Sequence, residues 1–244
     1  MQIKTSALVI REQKVADGDC VVTLLTGDKG VIRVWAKGIY SPKSKNSGAR
    51  LFSYSDFTLF HSKERYTLNR ADSNEIFFDL RKDISRLALC SYFAQLLFTL
   101  LDENDDSSLL LPLTLNCFHL AAEGTKDLRL IKACFELRLA SIIGYEPTVD
   151  SCLCGMGTPS LFDCQEGAFF CESCRRESEH NALLIPVAPS VVRAMHHIIS
   201  APLSKVFSFS VGNDTLSSLS ALTERFLLTQ CGRTFSSLDF YKSI

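Results

Sequence analysis

The stretch Lys29–Arg50, KGVIRVWAKGIYSPKSKNSGAR, decides how the first part of the chain is interpreted. It carries six basic residues and no acidic residue, and its first half alternates in the manner of a β-strand. Its second half, residues 38–48, is rich in Gly, Ser, Pro and Asn, which is typical of turns. A basic strand that continues into a basic loop suits the backbone of a polyanion. The pattern therefore predicts a small β-domain whose basic edge faces nucleic acid.

Strand-like segments occupy most of the first 77 residues. They are rich in β-branched and apolar side chains and are separated by turn signals, and they comprise residues 2–11, 19–25, 30–38, 52–61 and 65–77. Five short strands at this spacing predict a small barrel. An OB-fold is a natural candidate because it presents one sheet face and its loops to oligonucleotides. An SH3-like barrel fits the same strand count, so the pattern alone leaves both open.

The pattern changes after Phe78, where apolar residues begin to recur at helical spacing. Asp79 is expected to cap the first helix and Gly144 to end the third. The first three helices are apolar on most faces, and we expect them to pack as one bundle. The chain is thus predicted to be an α+β protein, with a five-stranded OB-fold DNA-binding domain at 1–78 and an α-helical domain at 79–244. The predicted helices are residues 80–102, 109–123, 126–143, 186–200 and 214–230, with a short one in 233–244.

Charge is distributed unevenly along the chain, whose net charge is only −1. Residues 1–70 carry 12 basic and six acidic residues, whereas the remaining 174 residues carry 14 basic and 21 acidic ones. Such asymmetry indicates a polyanion-binding segment joined to a part suited to protein partners, although a solvated basic face gives the same count. The most apolar segment, residues 87–101, is short for a membrane span. Because the N-terminus also alternates like a strand and lacks the pattern of a secretory signal, we expect a cytoplasmic protein.

Ten cysteines in a chain expected to lie in a reducing compartment indicate metal ligation rather than disulfides. Sixteen residues separate the pair Cys152 and Cys154 from the pair Cys171 and Cys174, a spacing typical of four-thiolate zinc sites. Four thiolates leave no open position, so we predict one structural Zn²⁺ in a knuckle inserted at 151–176. The first pair is C-x-C, and Cys164 is an alternative to Cys152 as the fourth ligand. Reduced cysteines without metal, a redox-active site and an iron–sulfur cluster are the other interpretations.

Sequence signatures of catalysis are missing. There is no P-loop, no G-x-G-x-x-G, no H-E-x-x-H and no zinc-deaminase pattern. The adjacent His196 and His197 point about 100° apart on a helix and make a poor metal pair. The acidic run at 102–106 is typical of a solvated loop between helices. The sequence therefore predicts a protein that is not an enzyme.

Several stretches together resemble the bacterial RecO family of recombination mediators. They are AKGIYSPKSK at 36–45, FFDLRKDISRLALCSYFAQLL at 77–97, FELRLASIIGYEP at 135–147 and the CLCG…CESC cluster, in an order that covers nearly the whole chain. The resemblance implies an OB-fold, a helical C-terminal part that often holds a zinc knuckle, and binding and annealing of single- and double-stranded DNA. It also implies partners: RecR, with which RecO proteins load RecA, and the acidic C-terminal tail of single-stranded DNA-binding protein (SSB). The implied location is the bacterial cytoplasm, in association with the nucleoid.

The resemblance also implies site residues. The family's basic segment falls on Lys37, Gly38, Lys43, Ser44 and Lys45, and its metal ligands fall on Cys154, Cys171 and Cys174. The usual C-x-x-C-G pattern of the family would place a cysteine at position 151, where this chain has Ser151 followed by Cys152. The fourth ligand therefore departs from the family pattern.

The predicted DNA-binding residues combine basic side chains for phosphates with aromatic side chains for unpaired bases, and they are Lys29, Arg33, Trp35, Lys37, Tyr40, Lys43, Lys45 and Arg50. Phe52 and Tyr54 are further candidates for stacking, but by strand alternation Trp35 and Phe52 fit the barrel core equally well. A function of another class fits the same features: a zinc-stabilised adaptor that binds only protein partners or structured RNA. Salt-sensitive binding to single-stranded DNA separates the two.

Overall fold

The computed structural model describes residues 1–15, 19–40, 46–63, 65–152, 154–175 and 184–244. Packing divides the chain into two compact units. The first comprises residues 1–125 and 235–244, and the second comprises residues 126–234. The predicted boundary at residue 78 follows the change from strands to helices, and as a domain boundary it stays a prediction.

A closed barrel of five strands forms the greater part of the first unit, with the strands β1 (Gln2–Lys14), β2 (Cys20–Thr26), β3 (Val31–Ala36), β4 (Ser53–Ser62) and β5 (Arg65–Ile76). The strand order around the barrel is β1-β2-β3-β5-β4, and β4 closes it by pairing with β1. All neighbours are antiparallel except β3 and β5, which run parallel. This order is that of an OB-fold and not of an SH3-like barrel, so the predicted fold class is confirmed.

Alternation along the strands separates the inside of the barrel from its outside. On β3, Ile32, Val34 and Ala36 are fully buried, whereas Arg33 is exposed and Trp35 is half-buried. Successive side chains of a strand point to opposite faces, so Arg33 and Trp35 lie together on the outer face. The buried side chains of all five strands form one apolar cluster inside the barrel. Sequence alternation left Trp35 undecided, and the structure places it outside this core.

Three helices belong to the same unit: α1 (Ile84–Leu100), α2 (Leu110–Glu123) and α7 (Ser236–Lys242). The predicted cap of α1 is wrong, because a short 3₁₀ helix at Phe78–Lys82 holds Asp79, and Asp83 is the residue whose carboxylate accepts from the amides of Ser85 and Arg86. The side chain of Gln95 on α1 accepts a 3.0 Å hydrogen bond from the amide of Ser237 on α7. α1 thereby holds the last helix of the chain.

Phe52 belongs to the contact between the barrel and α2. Its side chain is 1% exposed, and its ring packs edge-on against Phe118 of α2 at 5.0 Å. Phe77 contacts the same ring at 5.5 Å. Phe52 has a positive φ of 63°, held by hydrogen bonds of its amide with Val9 and of its carbonyl with Phe77. The core interpretation of Phe52 is therefore the right one, and this ring is not available for stacking on bases.

The second unit is built on α3 (Leu128–Ile142), α5 (Pro189–Ser200) and α6 (Asn213–Cys231). We expected α3 to join α1 and α2 in one bundle, and this expectation is wrong. Polar groups of α3 are matched by α5 and α6: Arg138 donates to the carbonyls of Ile199 and Ala201 at the end of α5, at 2.6 and 2.8 Å. Those carbonyls have no partner within their own helix, so Arg138 completes the helix end. Gly144 follows α3 with a φ of 99°, as expected for a helix end.

A small four-stranded sheet completes the second unit, with the strands β6 (Thr148–Cys152), β7 (Leu161–Asp163), β8 (Ala168–Phe170) and β9 (Leu184–Pro186) in the order β6-β8-β7-β9. The short helix α4 (Glu172–Arg175) follows β8. Phe162 of β7 packs edge-on against Phe169 of β8 at 5.0 Å and against Phe226 of α6 at 5.6 Å. These ring contacts anchor the inserted sheet on α6.

Among the described residues, no helix combines the length and the apolar character that a membrane crossing needs.

Candidate nucleic-acid interface and metal centre

Two guanidinium groups face outward in one row across β1, β2 and β3. Arg11 pairs with Thr23 on β2, and Thr23 pairs with Arg33 on β3. A bulge between Val9 and Arg11 shifts the register of β1. Neighbouring strands lie about 4.8 Å apart, so the two arginines stand about 10 Å from each other across Thr23. This is the sheet face that OB-folds commonly use for oligonucleotides.

Neither arginine has a carboxylate partner among the described residues. The guanidinium of Arg11 lies over the ring of Phe98 at 4.7 Å, a contact that orients this group without neutralising its charge. Both side chains line a cavity of about 340 Å³ that is also bounded by Asp102 and Glu103. Cations without an acidic partner are available for phosphate groups.

Trp35 lies on the same outer face with its ring edge fixed. Its indole N–H donates to the Oδ2 atom of Asp19 at 3.0 Å, and the Oδ1 atom of Asp19 accepts from the amide of Gly38 at 3.0 Å. The guanidinium of Arg65, at the start of β5, lies 4.2 Å from the centre of the indole ring. This arrangement joins the loop before β2, the outer face of β3 and the start of β5.

Tyr40 and Arg50 form a second group, organised by Glu12. The Oε1 atom of Glu12 accepts from the Nε atom of Arg50 at 3.1 Å, and its Oε2 atom accepts from the hydroxyl of Tyr40 at 3.2 Å. The guanidinium of Arg50 and the ammonium of Lys14 lie 4.8 and 5.0 Å from the centre of the Tyr40 ring. Burial, the contact with Cys20 and the nearby Glu12 carboxylate raise the pKa of Tyr40. Both predicted DNA-binding residues are therefore already engaged within the protein.

The remaining basic residues of the segment are spread along the barrel. Lys29 is in the turn between β2 and β3 and forms an ion pair with Asp28 at 3.3 Å. Lys37 is exposed in the turn that follows β3. Lys43 and Lys45 lie outside the described residues. The assignment of the whole segment to DNA stays a prediction, but the structure separates Lys29, at one end of β3, from Lys37 at the other.

Four cysteines converge in the inserted sheet. Cys152 ends β6, Cys154 lies in the next turn, Cys171 follows β8 and Cys174 is in α4. Their four sulfur atoms lie within 4.8 Å of one another. The Sγ atom of Cys152 is 3.7 Å from that of Cys174 and 3.4 Å from that of Cys154, and the latter is 3.9 Å from that of Cys171. A tetrahedral zinc ion with Zn–S bonds of about 2.3 Å has sulfurs about 3.8 Å apart, so the four thiols fit such an ion.

The electrostatics of the cluster also suit a cation. Amides of Met156 and Gly157 lower the pKa of Cys154 to about 6. Backbone hydrogen bonding at Cys174 lowers the pKa of Cys171, whereas burial raises that of Cys152. Contacts with the other thiols, that of Cys154 first, raise the pKa of Cys174 to about 12. A divalent cation offsets this mutual repulsion and favours deprotonation of all four thiols.

Cys164 is not part of the cluster. It lies between β7 and β8, is 3% exposed, and burial raises the pKa of its thiol to about 11. Within the described residues, the only group of at least three potential ligands close enough to share an ion is the set with Cys152. Cys152 is therefore the fourth cysteine of the cluster, despite the C-x-C spacing.

Comparison with known proteins assigns nearly the whole chain to one family. The model of the family "Recombination protein O N terminal" matches residues 1–77, and that of "Recombination protein O C terminal" matches residues 81–239. The chain belongs to the RecO family. The resemblance drawn from the sequence motifs is thereby confirmed.

Two relatives illustrate how far the similarity to RecO proteins extends. The DNA repair protein RecO of Acetivibrio thermocellus is 32% identical over 246 residues, which cover 99% of this chain and 97% of the relative. The DNA repair protein RecO of Alkaliphilus metalliredigens is 28% identical over 249 residues, which cover all of both chains. Similarity to RecO proteins thus includes the barrel, the helices and the inserted sheet.

Three residues that the structure brings to the candidate interface were missed in the sequence. Arg11 and Arg65 lie outside the basic segment, and Asp19 is an acid within a turn signal. The strand order brings them to β3, because β1 reaches it through β2, and β5 pairs with it directly. The position of Arg65 immediately after a strand-to-strand turn was the available signal, since OB-folds bind oligonucleotides with the loop before their last strand.

Proposed function

We propose that this RecO-family protein is a non-enzymatic recombination mediator in DNA repair. It binds single- and double-stranded DNA, anneals complementary strands and, together with RecR, helps to load RecA onto single-stranded DNA coated by SSB. It acts in the bacterial cytoplasm at the nucleoid. The observation that carries the proposal is the match of both RecO family models, over residues 1–77 and 81–239.

The outer face of the barrel supports the DNA-binding part of this proposal. Arg11 and Arg33 lack carboxylate partners among the described residues and stand on the face that also presents Trp35. When such arginines contact phosphates, counterions are released from the DNA. Binding is then sensitive to salt and largely independent of sequence. Lys37 is exposed and adds to this basic surface. Lys43 and Lys45, which lie outside the described residues, are further candidates for phosphate contacts on the ground of sequence.

Annealing requires no catalytic group. Neutralisation of two phosphate backbones allows complementary strands to approach each other, and base pairing then supplies the free energy. The uneven charge of the chain is consistent with one part that binds DNA and another that binds proteins. Residues 1–70 are rich in basic side chains, and the remainder is acidic. The acidic helical part is suited to the protein partners RecR and SSB, and through them to RecA.

The four-cysteine cluster holds one structural zinc ion. Cys152, Cys154, Cys171 and Cys174 would bind it and tie β6 to the start of α4. A bound zinc ion with four thiolate ligands supplies folding free energy and leaves no position open for a substrate. We accordingly expect the zinc ion to stabilise the inserted sheet and to take no part in any chemistry on DNA.

A salt titration tests the proposal. Binding of a fluorescent oligo(dT) is measured by anisotropy between about 50 and 200 mM salt, with a marked loss of affinity expected if several phosphates are contacted. The annealing rate of two complementary oligonucleotides is measured in parallel. A Lys37/Lys43/Lys45→Ala variant should anneal more slowly and bind more weakly than the wild type, with an unchanged circular dichroism spectrum. Absence of binding at low salt, or affinity independent of salt, would instead favour an adaptor that binds only protein or structured RNA.

A further inference from the structure

The indole of Trp35 is held in a manner that leaves a ring face for a ligand. Its N–H is fixed by Asp19 at 3.0 Å, and the same carboxylate is fixed by the amide of Gly38. Both hydrogen bonds act at the edge of the ring or at the carboxylate that holds it, so they set the ring's orientation without covering its face. The side chain lies on the outer face of β3 and is half-buried, in contrast to the fully buried Val34.

Arg65 covers this face in a way that can be reversed. Its planar guanidinium lies 4.2 Å from the ring centre, and its side chain is exposed. Within the part of the chain that the structure describes, no carboxylate pairs with Arg65. The stem is flexible and the stacked group is flat, so a nucleobase, which is also flat, can take its place on the indole.

The Tyr40 ring shows what a closed arrangement looks like in the same barrel. Arg50 lies over that ring at 4.8 Å but is held there by Glu12, at 3.1 Å from its Nε atom. Glu12 also accepts the hydrogen bond of the Tyr40 hydroxyl. Displacement of Arg50 would therefore break an ion pair, whereas displacement of Arg65 breaks none among the described residues.

The charges around Trp35 suit the backbone attached to such a base. A displaced Arg65 guanidinium remains close enough to contact a phosphate, and Arg33 stands two residues from Trp35 on the same face, about 7 Å away along the strand. An acid in the same group, Asp19, is engaged by the indole and by Gly38. A stacked base and its phosphates thus find complementary groups together.

We propose that Trp35 and Arg65 form a slot for one unpaired DNA base, which enters by displacing the guanidinium from the indole. Asp19 is the positioning residue that keeps the indole in place. The slot rests on the proposed DNA-binding function and adds a preference to it. In a duplex, the bases are already stacked and paired, so the slot favours single-stranded over double-stranded DNA.

The native protein provides a direct readout, because Trp35 is its only tryptophan. Binding of oligo(dT) should quench the tryptophan fluorescence, whereas an abasic deoxyribose-phosphate oligomer and a duplex, both shown by anisotropy to be bound, should quench it much less. Bound oligo(dT) without a change in fluorescence would overturn the slot and leave the proposed function standing. If the protein binds none of these DNAs, both the slot and the proposed DNA-binding function are wrong.

Variants supply the second measurement. Trp35→Ala should weaken binding to oligo(dT) by about tenfold, since stacking is a substantial contribution per base, with little effect on the duplex. Trp35→Phe retains a ring and should keep most of the affinity. Phe78→Ala is the matched control, because Phe78 is an exposed aromatic residue of the same unit with Arg81 at 5.8 Å from its ring. Equal losses for oligo(dT) and duplex in Trp35→Ala, with a correctly folded protein, would contradict the slot.

Discussion

Lys132 and Glu136 form a buried ion pair one turn apart on α3, with the Nζ atom 3.0 Å from a carboxylate oxygen and side chains that are 3% and 0% exposed. Glu224 of α6 contacts the same ammonium at 2.9 Å, and the hydroxyl of Thr223 donates to Glu136 at 2.8 Å. One cation therefore joins two carboxylates between α3 and α6. Since buried charges are costly unless they are paired, this cluster specifies which surface of α3 meets α6.

Removal of the Lys132 ammonium should destabilise the protein strongly. Lys132→Met leaves Glu136 and Glu224 close together without a cation, and loss of one partner of a buried pair costs about 3–5 kcal/mol. The free energy of unfolding is measured by urea denaturation followed by circular dichroism. Lys205→Met, at an exposed site of the same unit, is the control and should change stability by less than about 0.5 kcal/mol. A loss below about 1 kcal/mol for Lys132→Met would mean that this ion pair does not stabilise the packing of α3 on α6.

The same cluster explains why α3 was assigned to the wrong group of helices. The sequence shows an apolar helix with one lysine and one glutamate at a spacing of four, which is equally typical of a solvated pair. A buried cluster is distinguished from an exposed pair only by the partner on α6. That partner, Glu224, lies 92 positions after Lys132 in the chain. Helix periodicity predicts that a face is buried, but it does not say against which element.

Local sequence patterns predicted the strands of the barrel well, but they predicted its candidate interface only in part. Alternation on β3 and the turn signals between strands depend on neighbours in sequence, and all five strands were predicted. The engagement of Arg50 by Glu12 and the stacking of Arg65 on Trp35 depend on strand order. For this reason the basic segment appeared uniform in the sequence, although Arg50 is ion-paired in the structure and Arg33 has no ion pair among the described residues.

The arginine row on the barrel makes a prediction about salt dependence. Arg11→Gln and Arg33→Gln should each remove about one phosphate contact, which reduces the slope of log affinity against log salt by about 0.7 for single-stranded DNA. Arg70→Gln is the control, because Arg70 is on β5 of the same barrel but is paired with Asp72 at 2.7 Å. Anisotropy titrations at several salt concentrations measure the slopes. Slopes equal to that of the wild type in both variants would exclude this row from the DNA interface.

Metal content should depend on Cys152 and not on Cys164. Cys152→Ala and Cys174→Ala each remove one of the four clustered sulfurs and should lower the zinc content, measured by mass spectrometry of the purified protein, together with the melting temperature. Cys164→Ala removes a buried thiol outside the cluster and should retain the metal. Retention of zinc by Cys152→Ala with its loss from Cys164→Ala would reverse the assignment of the fourth ligand.

Gly157 offers a steric test of the same site. A Cβ atom at this position would lie 2.3 Å from the sulfur of Cys171 and 2.4 Å from its Cβ atom, so Gly157→Ala must displace the side chain of Cys171. We expect a loss of zinc similar to that of Cys174→Ala. Gly155→Asn is the control, because position 155 has open space around it and a φ of 72° that asparagine tolerates. A normal zinc content in Gly157→Ala would contradict the expected clash and show that the turn accommodates a methyl group at this position.

The raised pKa of Tyr66 leads to a prediction about the stability of the barrel in alkaline solution. Burial, together with the hydrogen bond from its hydroxyl to Glu103 at 2.8 Å, raises the pKa of Tyr66 from 10.0 to about 12. The unfolded chain loses this proton near pH 10, while the folded protein keeps it, so the stabilising contribution is complete below pH 10 and falls as the pH rises towards 12. Tyr66→Phe carries no such proton and should lose stability less steeply over this range, as measured by urea denaturation at a series of pH values. Equal slopes in the two proteins would mean that the hydroxyl of Tyr66 ionises in the folded barrel as readily as in the unfolded chain.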